Sequence, residues 1–265
     1  SLPAPQCSGL SSTRPRGFFP TIPYPSIYES LIISGTYIGC RSTYPNVLEG
    51  LLNQSLSELP FEVLNFGVSG YSTYDEALVI EHKVLQWQPD LIIVGYVLND
   101  PEIDPVQPIH QHFQATEWWQ HSNILRLAFE AKNAWDIERL GDGNYIRYLH
   151  APEERKWSSV LDSFENIARL TNEREIPVLV VIFPRLSLAK TWSDYPFRDL
   201  HAQVASAANE QGFFVIDLYD EYSKHPSRDL RASKDNAHPG SFANQLAAQE
   251  IYNWLSDHPE MLSIP

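Results

Sequence analysis

The stretch Leu91-Ile92-Ile93-Val94-Gly95-Tyr96-Val97 constrains the fold more than any other. It is apolar at nearly every position, so it does not suit a strand with one wet face. It suits a strand buried on both faces, and such strands sit inside parallel sheets covered by helices on either side. The surrounding sequence keeps the same rhythm. Short apolar runs at residues 28–33, 61–66, 177–183 and 213–218 read as further strands. Between them, helical spacing marks residues 46–56 behind Pro45, 73–87 ahead of Pro89, 157–174, and 197–211 with Gly212 as its stop. An amphipathic helix over 242–255 closes the chain. Strand–helix alternation of this kind implies βαβ units and an α/β fold, with a central parallel sheet between two helical layers.

Two segments break the rhythm. Residues 1–26 are rich in Pro, Ser and Arg and read as an extended arm on the domain. Residues 101–154 carry Trp118, Trp119, Trp135 and several histidines, with one helix-like piece over 124–140. They read as an insertion packed over the carboxyl edge of the sheet, within a single domain spanning 27–265. The 265 residues, 43% of them hydrophobic, suffice for one large core.

Charge excludes some partners. A net charge of -14 disfavours nucleic acid and anionic membrane surfaces, both polyanions. No apolar run is long enough to span a bilayer, so no transmembrane segment is expected. The chain starts at Ser1, without Met or a signal-peptide pattern, and reads as processed or trimmed. Cys7 and Cys40 can pair in an oxidising compartment or stay free in a reducing one; pairing would favour a secreted or periplasmic location.

In parallel sheets ligands sit at the carboxyl ends of the strands. Here those ends carry Ser34-Gly35-Thr36, the loop Gly67-Val68-Ser69-Gly70, Asn99-Asp100, and the stretch Asp235-Asn236-Ala237-His238-Pro239. The last is expected as a turn that aims a carboxylate and an imidazole at one point. An acid holding one ring nitrogen leaves the other free to take a proton from a hydroxyl. A polar turn ahead of a helix would carry the same residues. Together, though, the strand ends offer a hydroxyl, a base with its orienter, and oxyanion donors, which are the parts acyl transfer needs.

With these residues in place, the chain resembles the SGNH, or GDSL, hydrolases from about its first strand to its last helix. Asn65 to Thr73 resembles the block whose glycine donates to the oxyanion hole, Gly70 by alignment, with Gly67 second. Gly95 to Asp100 resembles the block whose asparagine, Asn99, is the other donor. Asp235 and His238 match the triad acid and base of the last block, and Tyr195-Pro196-Phe197 also fits bacterial members. The resemblance implies a flavodoxin-like three-layer fold and a serine esterase acting on O-acyl esters, such as acetyl groups on carbohydrate. It implies no metal or organic cofactor, and a small-molecule or glycan ester as partner.

The first block departs from the family's Gly-Asp-Ser-x-Thr. In one alignment Ser34-Gly35-Thr36 is its Ser-x-Thr, and Ser34 is the nucleophile. In a second, Gly35 and Thr36 are its ends and an Asp-Ser-x stretch is missing between them. In a third, Thr36 takes the serine's place. The short strand favours the second; among residues present, Ser34 is the candidate nucleophile. A degenerate block also fits an inactive domain that binds a glycan or protein, and carbohydrate O-acyl transfer is a further alternative. His110, His112, Glu117 and His121 could be read as zinc ligands, but their spacing suits a polar loop rim better.

Overall fold

The computed structural model describes residues 26–31, 42–55, 60–68, 70–102, 122–186 and 191–262. In order, the chain forms β1 (Ser26–Leu31), α1 (Tyr44–Ser55), β2 (Glu62–Asn65), α2 (Thr73–His82) and β3 (Leu91–Val97). Then come α3 (Asn123–Gly141), α4 (Tyr145–Leu149), α5 (Arg155–Asn172), β4 (Val178–Phe183), α6 (Arg198–Glu210) and β5 (Phe214–Asp217). Two short helices, α7 (Tyr219–Tyr222) and α8 (Ser227–Leu230), lead into the strands β6 (Arg231–Ser233) and β7 (Asn236–Pro239), and α9 (Ser241–Asp257) follows.

The main sheet has five strands in the order β2-β1-β3-β4-β5, all parallel. That is the flavodoxin-like order, whose direction of winding reverses between β1 and β3 and opens a crevice at their carboxyl ends. The expected doubly covered strand is β3, which lies at the centre. Its alternate residues feed two cores. Ile92, Val94 and Tyr96 pack with Ile80 of α2, Phe164 and Ile167 of α5, and Val204 of α6. Leu91 and Ile93 pack with Leu48 and Leu52 of α1 and with Ala247, Ile251 and Leu255 of α9. The period of two along a strand is thus the reason for three layers.

Several local choices explain the boundaries. Ser72 and Asp75 form a capping box at the start of α2, each side chain taking the other's backbone N–H. The helix read over 73–87 is two pieces: α2 ends at His82, and a 3₁₀ turn over Val84–Trp87 follows a break at Lys83. Gly212 stands just beyond α6 with φ +80°, the left-handed conformation that ends helices. The segment between β3 and α5 carries α3 and α4. The latter docks through Arg147, which donates to Asp199 of α6 at 2.6 Å, and through His150, whose Nε2 accepts a hydrogen bond from the Tyr96 hydroxyl on β3 at 3.0 Å. Cys7, Cys40, Trp118, Trp119 and the histidines at 110, 112 and 121 lie outside the described residues. No helix among the described residues is long and apolar enough to cross a membrane.

Candidate active site

The carboxyl edge is assembled by backbone and side-chain bonds between loops. β3 turns sharply after Val97. Asp100 N–H donates to the Val97 carbonyl at 2.9 Å, and Val97 N–H donates to Asp100 Oδ2 at 2.8 Å. This pinned turn buries Leu98 and Asp100 and leaves Asn99 between them exposed. The Thr73 N–H donates to the Asp100 carbonyl at 3.2 Å, which fastens the start of α2 to the Asn99 turn. The loop carrying Gly70 immediately precedes that helix. Gly70 has φ +86°, and a Cβ there would meet open space, so backbone conformation rather than crowding calls for glycine. Asn99 and Gly70 are therefore brought to neighbouring loops.

Asp100 is 1% exposed, and burial raises its carboxyl well above the ordinary carboxylate range, against the lowering effect of the Val97 N–H. Its Oδ1 is buried without a hydrogen-bond partner among the described residues.

His238 reaches the same edge from a hairpin rather than from the expected turn. Lys234 and Asp235 make the two-residue turn between β6 and β7, and His238 stands in β7. Strand alternation then places Asn236 and His238 on one face. Asn236 Oδ1 lies 2.6 Å from His238 Nδ1 and 3.0 Å from its backbone N, so it accepts from both. With Nδ1 carrying the proton, the lone pair is on Nε2. Asp235 is exposed in the turn. Sequence reasoning missed Asn236 because it took the stretch for a turn, and a four-residue strand holds too few apolar positions to show its period. His238 is exposed, yet partial desolvation and then the charge of Arg185 hold its pKa below the ordinary imidazole value. Ser34, Gly35 and Thr36 lie outside the described residues, as does Ser69.

A second acid–imidazole pair lies nearby. His201 is 1% exposed; its Nδ1 donates to Asp217 Oδ1 at 2.8 Å, and its Nε2 accepts from Tyr195 Oη at 2.9 Å. Both ring nitrogens are occupied, so this pair is a strut and not a base. It carries Tyr195, whose oxygen accepts the Arg185 N–H at 3.1 Å. Among the described residues no group of three or more His, Cys, Asp or Glu side chains is placed to hold a metal ion.

The family model of the GDSL-like lipases and acylhydrolases matches residues 29–246. The chain belongs to that family. It is an SGNH-type ester hydrolase. No curated protein matches the chain. Solved structures share its fold. The acetyl xylan esterase AlAXEase is 13% identical with a TM-score of 0.54, the match covering 87% of this chain and 99% of that one. The esterase EstA from Pseudoalteromonas sp. is 10% identical, TM-score 0.53, covering 89% and 98%. The acetylxylan esterase Axe2 from Geobacillus stearothermophilus is 14% identical, TM-score 0.52, covering 87% and 92%.

Proposed function

We propose that this GDSL-family protein hydrolyses O-acyl esters, acetyl groups on carbohydrate among them, with a serine nucleophile after β1 and His238 as base. Asp235 is the acid by its place in the family's last block, beside Asn236, whose Oδ1 holds the His238 Nδ1–H. Among the residues present Ser34 is the nucleophile. Gly70 N–H, the Asn99 side-chain amide and the nucleophile's own N–H hold the oxyanion. His238 takes the serine proton on Nε2 as the hydroxyl oxygen attacks the ester carbonyl. It returns that proton to the departing alcohol oxygen, and a water molecule repeats the sequence on the acyl-enzyme. The observation that carries this reading is that the carboxyl edge carries both an exposed Asn99 on a pinned turn and a hairpin imidazole whose Nδ1 is held by Asn236. Structures of acetylxylan esterases that share the fold support an acetylated glycan as the substrate class. The domain division is part of the same proposal: an arm over 1–26 and one hydrolase domain over 27–265 with an insertion at about 101–154.

Turnover of 4-nitrophenyl acetate and release of acetate from acetylated xylan test it. The wild type should hydrolyse both, and His238→Ala should lose about 10³-fold or more, since general-base catalysis is worth about 10²–10⁴. Asn99→Ala should lose about 10²–10³-fold in kcat, as for other oxyanion donors. Equal rates in wild type and both variants would overturn the assignment.

A further inference from the structure

Arg185 stands two residues beyond β4 and is fixed on several sides. Its N–H is held by Tyr195, itself braced by the His201–Asp217 pair. The next carbonyl, that of Leu186, accepts from Arg231 Nη2 at 2.9 Å and from Ser227 Oγ at 3.0 Å. Arg231 is the register partner of Pro239, the neighbour of His238. On its other side β4 pairs with β3, which runs out into Asn99 and Glu102. Arg185 thus stands on the sheet edge between the Asn99 turn and the hairpin that carries His238.

Its guanidinium is partly buried and, among the described residues, has no ion-pair or hydrogen-bond partner. Other arginines of this chain are paired: Arg147 with Asp199, and Arg198 with Asp217 and Asp220. Glu102 lies within electrostatic reach of Arg185, but its Oε1 accepts the Tyr145 hydroxyl at 2.7 Å. In a chain with 33 acidic and 19 basic residues, a half-buried cation with no carboxylate bonded to it among the described residues is out of keeping. Burial without a partner is costly, and it lowers the Arg185 pKa. The same charge reaches His238, the proposed base, and adds to partial desolvation in lowering its pKa. An anion delivered with the substrate would relieve both effects, and a guanidinium fork matches a carboxylate in geometry.

We propose that Arg185 binds a carboxylate carried by the alcohol part of the ester, so that the preferred substrate is an acylated acid rather than a neutral acylated alcohol. This rests on the ester-hydrolase reading of the same site and adds a substrate class to it.

The test compares 4-acetoxybenzoate with its uncharged methyl ester on wild type, Arg185→Gln and Arg185→Lys. The ratio of kcat/KM for the anionic over the neutral ester should fall roughly 10- to 100-fold in Arg185→Gln, the scale of a charge-assisted hydrogen bond. The loss should sit mainly in KM, with Arg185→Lys intermediate. An unchanged ratio in a folded Arg185→Gln overturns the proposal and leaves the hydrolase intact. If the wild type cleaves neither ester, the hydrolase reading fails instead. The carboxylate site is then decided by NMR titration of the His238 ring with 4-hydroxybenzoate. Saturable binding that raises the His238 pKa in wild type but not in Arg185→Gln supports the site. The absence of any saturable effect on wild-type His238 overturns it, whether or not the variant folds.

Discussion

At the scale of single residues, two side chains hold groups of the proposed machinery in place. Asn236 takes both the ring Nδ1 proton and the backbone N–H of His238. Asn236→Ala should lower kcat on a neutral ester about tenfold, the worth of one hydrogen bond of ordinary strength, with KM little changed. Steady-state kinetics on the purified variant read this directly. Asp100 pins the turn that presents Asn99, and burial keeps its carboxyl raised. The sign follows. A group whose pKa is raised on folding stabilises the fold at low pH, and that contribution is lost as pH rises. Asp100→Asn keeps an acceptor for the Val97 N–H and carries no charge, so its melting temperature should exceed the wild type's at pH 9 and lose that advantage by pH 4. Thermal scans at the two pH values check it. Asn99 was legible in the sequence because it ends the most apolar run in the chain. Asn236 was not, because its role depends on a strand pairing with no apolar alternation to announce it.

At the scale of elements, the hairpin β6–β7 is the part that places His238, the proposed base. It closes where Gly240 N–H donates to the Leu230 carbonyl at 2.7 Å. A Cβ on Gly240 would stand 2.5 Å from the Arg231 carbonyl oxygen, a backbone atom that cannot move without shifting the hairpin. Gly240→Ala should therefore destabilise the protein by about 1–3 kcal/mol, the usual cost of forced overpacking. It should also reduce ester turnover more than Gly50→Ala, where a Cβ meets nothing within 4 Å. Denaturant melts and rates on the two variants separate these effects. The strands β3 and β4 and the helices α5, α6 and α9 were legible within about two residues, because each buries a face at its own period. The short helices α4, α7 and α8 and the hairpin were not, since elements of three to five residues hold too few apolar positions to show a period.

At the scale of the whole molecule, the three layers follow from alternation, and the flavodoxin-like strand order was implied by the resemblance and is seen in the sheet. The candidate site follows from how loops are tied across the carboxyl edge. One tie has a consequence for stability. His150 joins α4 to β3 with its Nδ1 donating to the Ile146 carbonyl and its Nε2 accepting from Tyr96. Burial lowers its pKa to about 4. The unfolded chain binds a proton near pH 6.5 that the folded protein refuses, so stability is complete above that pH and declines as pH falls toward 4. The effect is on the order of 3 kcal/mol. Melting curves across this window should be steeper in pH for wild type than for His150→Gln.

The proposed chemistry stands or falls on a serine after β1 that works with His238. Labelling with a fluorophosphonate, followed by intact-mass and peptide mapping of residues 28–41, tests it most directly. A single adduct is expected on a serine in that segment, Ser34 among the residues present, formed in wild type and lost in His238→Ala. A folded wild-type protein that acquires no adduct there, with an intact mass equal to that of the unlabelled chain, would contradict it.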